Sequence, residues 1–176
     1  MYKFTRLIIL FPLLLGACEQ QIPDKETRRD KPAILEQTNT SSKHMVSYKI
    51  EDSFENVKMD IENAVAGHGI KINNISYIGK MLKRTANDLG ATQEIFHDAV
   101  AIEFCSATLS RNMMQTDPHN IVFCPYIIYV YALPEQPETV YVAYRKLTNS
   151  SVNNSNTTLK KVEKLLEDII SEVKDQ

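Results

Sequence analysis

The run Ile121-Val-Phe-Cys-Pro-Tyr-Ile-Ile-Tyr-Val-Tyr-Ala-Leu133 constrains this chain more than any other segment. It is rich in β-branched and aromatic residues and apolar at both odd and even positions, so a strand built from it shuns water on both sides. A strand over 121–133 therefore belongs in the middle of a sheet, and the chain must supply neighbours for both of its edges. Several candidates are at hand. Phe96–Cys105 sets Val100, Ile102 and Phe104 in step, with Ala99, Ala101 and Glu103 opposite. Met45–Ile50 alternates, and Ile70–Ile75 does so more weakly. Thr139–Tyr144 follows the loop Pro134–Glu138, which suits an antiparallel hairpin partner.

Helical spacing fills the gaps between these strands. Phe54, Val57, Ile61, Ala64 and Val65 share one face, with Asp52 as N-cap, Glu55 in capping-box position and Gly67-His68-Gly69 as the stop. Ile78, Met81, Leu82, Ala86 and Leu89 share another, ended by Gly90. Ser106–Gln115 predicts a short helix stopped by Asp117-Pro118. The order β-α-β-α-β-α-β-β describes an α+β two-layer sandwich, a mostly antiparallel sheet with helices on one face. Beyond 45–147, residues 148–157 read as a polar linker. Residues 158–174 read as an amphipathic helix capped near Thr157 or Thr158. Its apolar stripe is Val162, Leu165, Leu166, Ile169, Ile170 and Val173, and its charged face runs from Lys160 to Asp168. That stripe suits core packing or a homo-oligomer.

The N-terminus carries an address. Lys3 and Arg6 precede the apolar stretch Leu7–Leu15, well short of the about 20 residues a membrane span needs. A cationic start, a short apolar middle and small residues describe an export signal over 1–17. Leu15-Gly16-Ala17-Cys18 resembles the lipobox of bacterial lipoproteins. That resemblance implies diacylglyceryl transfer to the Cys18 sulfur, cleavage before it and acylation of the new terminus. Several acyl chains together make a stable anchor in the membrane. Glu19, rather than an aspartate, favours the outer membrane over the inner, facing the periplasm. Residues 18–44 are polar, hold Pro23 and Pro32 and lack apolar periodicity, so they read as a lipidated flexible tether. The whole chain has 20 basic and 22 acidic side chains, and losing Lys3 and Arg6 leaves 18 against 22. No basic face for nucleic acid is expected from such a balance.

The globular segment resembles the family called domain of unknown function 302 over about residues 45–147. The likeness rests on Ser47-Tyr-Lys-Ile-Glu-Asp-Ser-Phe-Glu55, Gly69 and Ile75-Ser-Tyr-Ile-Gly79. Further along it rests on Phe104-Cys-Ser-Ala-Thr-Leu-Ser110, Ile121-Val-Phe-Cys-Pro-Tyr126 leading into Val130-Tyr131, and Val140-Tyr-Val-Ala-Tyr-Arg145. It implies a small two-layer α/β domain with no established activity. Many relatives carry a glycine-proline turn before the third helix, where this chain has Cys105-Ser106-Ala107.

Motifs for common chemistries are missing: there is no Walker A loop, G-x-G-x-x-G, H-E-x-x-H or G-x-S-x-G. Neither a cofactor nor a catalytic set is expected. With Cys18 lipidated, Cys105 and Cys124 remain as a pair, open to three readings. They are a structural disulfide, two inert thiols, or a redox couple in which the helix beginning at Ser106 lowers the Cys105 pKa. A soft metal site from Cys105, Cys124, Met113, Met114 and His119 is a weaker option, since Met113 also suits the core beside Leu109. His68 and His97 read as surface residues, and Glu94, Asp98 and Glu103 as carboxylates that proximity alone would pair. Five tyrosines fall in 126–144 (Tyr126, Tyr129, Tyr131, Tyr141, Tyr144) and suggest an aromatic sheet face for a partner or small apolar ligand. The expected function is a lipid-anchored binding or interaction domain without catalysis. The alternative is a periplasmic thiol-redox protein using Cys105 and Cys124.

Overall fold

The central strand is where the two-sided apolar run places it, although shorter. In the computed structural model, which describes residues 44–147 and 155–174, it spans Tyr126–Leu133. The export signal, Cys18, the tether and most of the polar linker lie outside the described residues. In chain order the elements are β1 (Met45–Glu51), α1 (Phe54–Gly67), β2 (Ile72–Ser76), α2 (Ile78–Thr85), β3 (Asp98–Phe104) and α3 (Ala107–Thr116). A 3-10 helix (Pro118–Phe123) follows, then β4 (Tyr126–Leu133), β5 (Gln136–Arg145) and α4 (Ser155–Lys174). The sheet order is β1-β5-β4-β3-β2, with every pairing antiparallel. This is the α+β class and the element order expected from the sequence, with β4 in the middle.

Period-two geometry sends alternate side chains of β4 to opposite faces. Tyr126, Ile128 and Val130 join Val100, Ile102 and Phe104 of β3 and Val140, Val142 and Tyr144 of β5 in one core. Helices close that face. Phe54, Val57, Ile61 and Val65 of α1, Met113 of α3, and Leu159, Val162, Leu166, Ile169 and Ile170 of α4 complete the same cluster. Burying each such aliphatic side chain contributes roughly 1.5–3 kcal/mol. The stripe on α4 is thus a core stripe, and the helix begins at Ser155, ahead of the predicted caps.

Other boundaries moved for local reasons. Ile121–Phe123 belong to the 3-10 helix, because Pro118 starts a new turn and the Asp117 carboxylate accepts the His119 N–H at 2.9 Å. Ser53, not Asp52, caps α1 by accepting the Asn56 N–H. Asp52 instead accepts from the Ser53 N–H and the Asn56 side chain. The second helix ends at Thr85. The Ala86 carbonyl then accepts the Leu89 and Ala91 N–H groups, winding the chain into turns that close at Gly90 (φ +64°) and leaving Leu89 exposed. The hairpin loop shortens to Pro134-Glu135, since Leu133 pairs with Gln136 across a register shift. Pro137 is tolerated in β5 because β1 stops at the Glu51–Thr139 pair, so no β1 carbonyl needs its missing N–H.

Candidate functional site

Cys105 directly follows β3 and Cys124 precedes β4 by two residues. Because Phe104 and Tyr126 face each other in the β3–β4 ladder, the chain leaves and re-enters the sheet at one place. Ser106 caps α3, its hydroxyl accepting the Leu109 N–H, and the 3-10 helix returns the chain to Cys124, whose N–H bonds the Ile121 carbonyl. The two sulfurs end 2.7 Å apart as free thiols, both half-buried. Ser110, one turn into α3, sets its hydroxyl 2.9 Å from the Tyr126 hydroxyl and 3.7 Å from the Cys124 sulfur. A four-member polar cluster thus sits where α3 meets the sheet.

Electrostatics here run against the expected activation of Cys105. Burial, then the hydrogen bond to the Cys124 thiol and the charge that thiol would carry, push its pKa up to about 11. Hydrogen bonds from the Tyr126 backbone N–H and the Ser110 hydroxyl pull the other way and lose. The helix dipole acts within its first turn, but Ser106 occupies the cap and Cys105 stands outside it. The protonated thiol is therefore the resting form at neutral pH. Burial also raises the pKa of Tyr126, against the opposing bond from Ser110.

The other candidates have surroundings of their own. Met113 is fully buried in the core, Met114 packs against that core, and His119 is exposed on the 3-10 helix. Among the described residues, no group of three or more His, Cys, Asp or Glu side chains converges as metal ligands. Glu103 accepts from Asn74 and Ser76, Glu94 faces Lys83 at 3.6 Å, and Asp98 faces His97 at 3.9 Å, so the three carboxylates serve separate contacts. His68 bonds Glu172, joining the end of α1 to α4.

Strand parity divides the five tyrosines, which do not share one face. Tyr126 and Tyr144 point into the core, while Tyr129, Tyr131 and Tyr141 lie on the opposite side, half-buried. There, Tyr131 pairs directly with Tyr141, and their rings stack at 5.1 Å and 10°. Phe96 sets its edge on Tyr131 at 5.6 Å, and the Lys49 ammonium rides 5.5 Å over the Tyr141 ring. Burial raises the Tyr131 pKa against a hydrogen bond with Ser47. The cross-strand neighbours of Tyr129 are Ala101 and Ala143, small residues that leave its ring room. A hollow of about 20 Å³ beside Pro125, Ile127, Tyr129 and Arg145 has space for a water or two. It cannot enclose a substrate.

Sequence reasoning missed the hydroxyls of Ser110 and Tyr126, although Ser110 follows the cap Ser106 at i,i+4 spacing, on the same helix face. It also set Glu163 and Glu167 on the solvated face of α4. In fact Glu163 accepts the Leu147 N–H at 2.6 Å, and Glu167 accepts from Tyr48 at 2.5 Å and Tyr144 at 3.2 Å. Burial, then the bond to Glu167, pushes the Tyr48 pKa up to about 12, and burial and Glu167 push Tyr144 higher still.

Comparison with known proteins fits this architecture. The family model described as "Domain of unknown function DUF302" matches residues 46–173, reaching past Leu147 through nearly all of α4. Among solved structures, that of an uncharacterised conserved DUF302 protein from Bacillus stearothermophilus superposes with a TM-score of 0.59. Sequence identity is 12%, over 73% of this chain and 96% of that one, a likeness of fold alone. No curated protein matches the chain.

Proposed function

The chain belongs to the DUF302 family, and for this member we propose a lipid-anchored, non-catalytic binding domain of the bacterial cell envelope. Cys18 is its anchor and the residues after it are its tether. It faces the periplasm, from the outer membrane in preference to the inner. The observation that carries the binding role is the second face of the sheet. There Phe96, Tyr131 and Tyr141 form a contiguous aromatic patch with Lys49 above it. Stacked tyrosines offer a rigid surface, apolar in body and polar at the tip, of the kind that protein interfaces favour. Rings packed on one another across neighbouring strands, with an ammonium above them, suit contact with a protein surface. A protonated Cys105 thiol supports binding over thiol catalysis.

A photo-crosslinking residue at Tyr141, compared with one at the exposed Lys160 of α4, tests the surface in intact cells. A discrete protein adduct is expected at 141, absent at 160 and lost in Tyr131→Ala. Equal labelling at both positions sinks the binding reading. So does steady turnover of a disulfide or thiol substrate that disappears in Cys105→Ser, the mark of a thiol-redox protein. The anchor is tested by the mass of the N-terminal peptide, expected to carry acyl chains on Cys18 and none in Cys18→Ala.

A further inference from the structure

The pair Cys105 and Cys124 has a role apart from the aromatic face. The two residues bracket the whole excursion of α3 and the 3-10 helix, and their sulfurs meet 2.7 Å apart across its neck. Ser110 bonds Tyr126 just inside that neck, so α3 is already aligned on the sheet when the thiols meet. Both cysteines are half-exposed, which leaves them open to an exchanging reagent. Met113 is the one fully buried residue of α3, with Leu109 and Met114 packed beside it at the edge of the core.

We propose that Cys105 and Cys124 form a disulfide that clasps this excursion, made and opened by thiol–disulfide exchange with a disulfide-bearing oxidant. In the first step one thiol loses its proton and its sulfur attacks the oxidant's disulfide, forming a mixed disulfide and releasing one thiolate. In the second, the other cysteine gives up its proton and attacks the mixed disulfide, forming the Cys105–Cys124 bond and releasing the second thiolate. Two protein thiols are oxidised, one external disulfide is reduced to two thiols, and the protons pass to solvent and the leaving thiolates. The bond closes a loop between positions 19 apart, removing freedom from the unfolded chain.

The full chain is equilibrated across ratios of oxidised to reduced glutathione, alkylated, and peptide-mapped so that Cys105 and Cys124 are read separately from Cys18. A linked Cys105–Cys124 peptide, 2 mass units lighter than the thiol pair, is expected at oxidising ratios. Dithiothreitol should then lower Tm by ~10 °C and speed amide exchange in 107–116 more than in α1. Cys105→Ser/Cys124→Ser should match the reduced protein and ignore dithiothreitol. Should that variant not fold, the wild-type response to reductant stands as the test. The proposal is overturned if both thiols stay alkylatable at every ratio or if either cysteine halts as a glutathione adduct. It is equally overturned if Tm and α3 exchange do not respond to reduction.

Discussion

The two faces of β4 come from one uninterrupted apolar run, yet they end in different surroundings. Tyr126, Ile128, Val130 and Ala132 are buried to within 2% of complete, whereas Ile127, Tyr129, Tyr131 and Leu133 remain half-buried. Three helices cover the first set with interdigitated aliphatic side chains. The second set finds cover among its own cross-strand neighbours, tyrosine on tyrosine and tyrosine beside alanine. Apolar character at both parities is therefore enough to centre a strand, but it does not say which side becomes core. That depends on where the amphipathic helices dock.

Substitutions on the two sides should separate them. Ile128→Ala, on the core side, is expected to cost about 2–5 kcal/mol in denaturant unfolding. Tyr131→Ala should cost roughly 1–2 kcal/mol, from one stacked, half-buried ring. Equal losses would make the second face a core in its own right and end the distinction. A seam belonging to neither set is of comparable size. No side chain of α2 is fully buried, yet its backbone comes so close to β3 that a Cβ on Gly79 would stand 2.8 Å from the Ala99 nitrogen. Gly79→Ala should therefore destabilise by roughly 1–3 kcal/mol, as overpacking does. Gly67→Ala, with open space around its Cβ, should be neutral or up to about 1 kcal/mol stabilising.

Alkaline titration probes the core-side clamp of α4. Tyr48, with its pKa raised to about 12, and Tyr144, raised in the same direction, hold their protons more tightly folded than unfolded. Their contribution is complete below the ordinary tyrosine value near 10 and fades as pH rises through 10 to 12. Wild type should lose denaturant midpoint over that interval faster than Tyr48→Phe/Tyr144→Phe. Glu167→Gln should lessen the slope without removing it, because burial is the larger cause. The smallest effect lies on solvent: Lys164→Ala breaks an exposed i,i+4 pair with Asp168 and should change stability by less than about 0.5 kcal/mol.

Much of the architecture was legible beforehand, and the misses share a cause. The face of α1 from Phe54 to Val65 and the inward set Val100, Ile102 and Phe104 were readable because helical and strand periods are local properties. Leu89 was assigned to a helix that had already ended, because the turn closing at Gly90 competes with helical spacing for the same residues. Glu163 and Glu167 looked solvated on a helical wheel. Each is held by a partner far along the chain, and no wheel records that Tyr48 of β1 waits above α4. For the thiol cluster, the helix start at Ser106 was visible, while the pairing of Cys105 with Cys124 stayed one of three readings because it turns on strand register.

By itself the sequence determined the helices and strands apart from the 3-10 helix, their order, the α+β class and the central place of the strand read over 121–133, since periodicity and propensity act over a few residues at a time. Only the tertiary structure decided the order β1-β5-β4-β3-β2, the division of the tyrosines between a core and an open face, and the meeting of Cys105 with Cys124. Those outcomes turn on register between strands distant in sequence, and a shift of one residue would send every side chain of a strand to the other face.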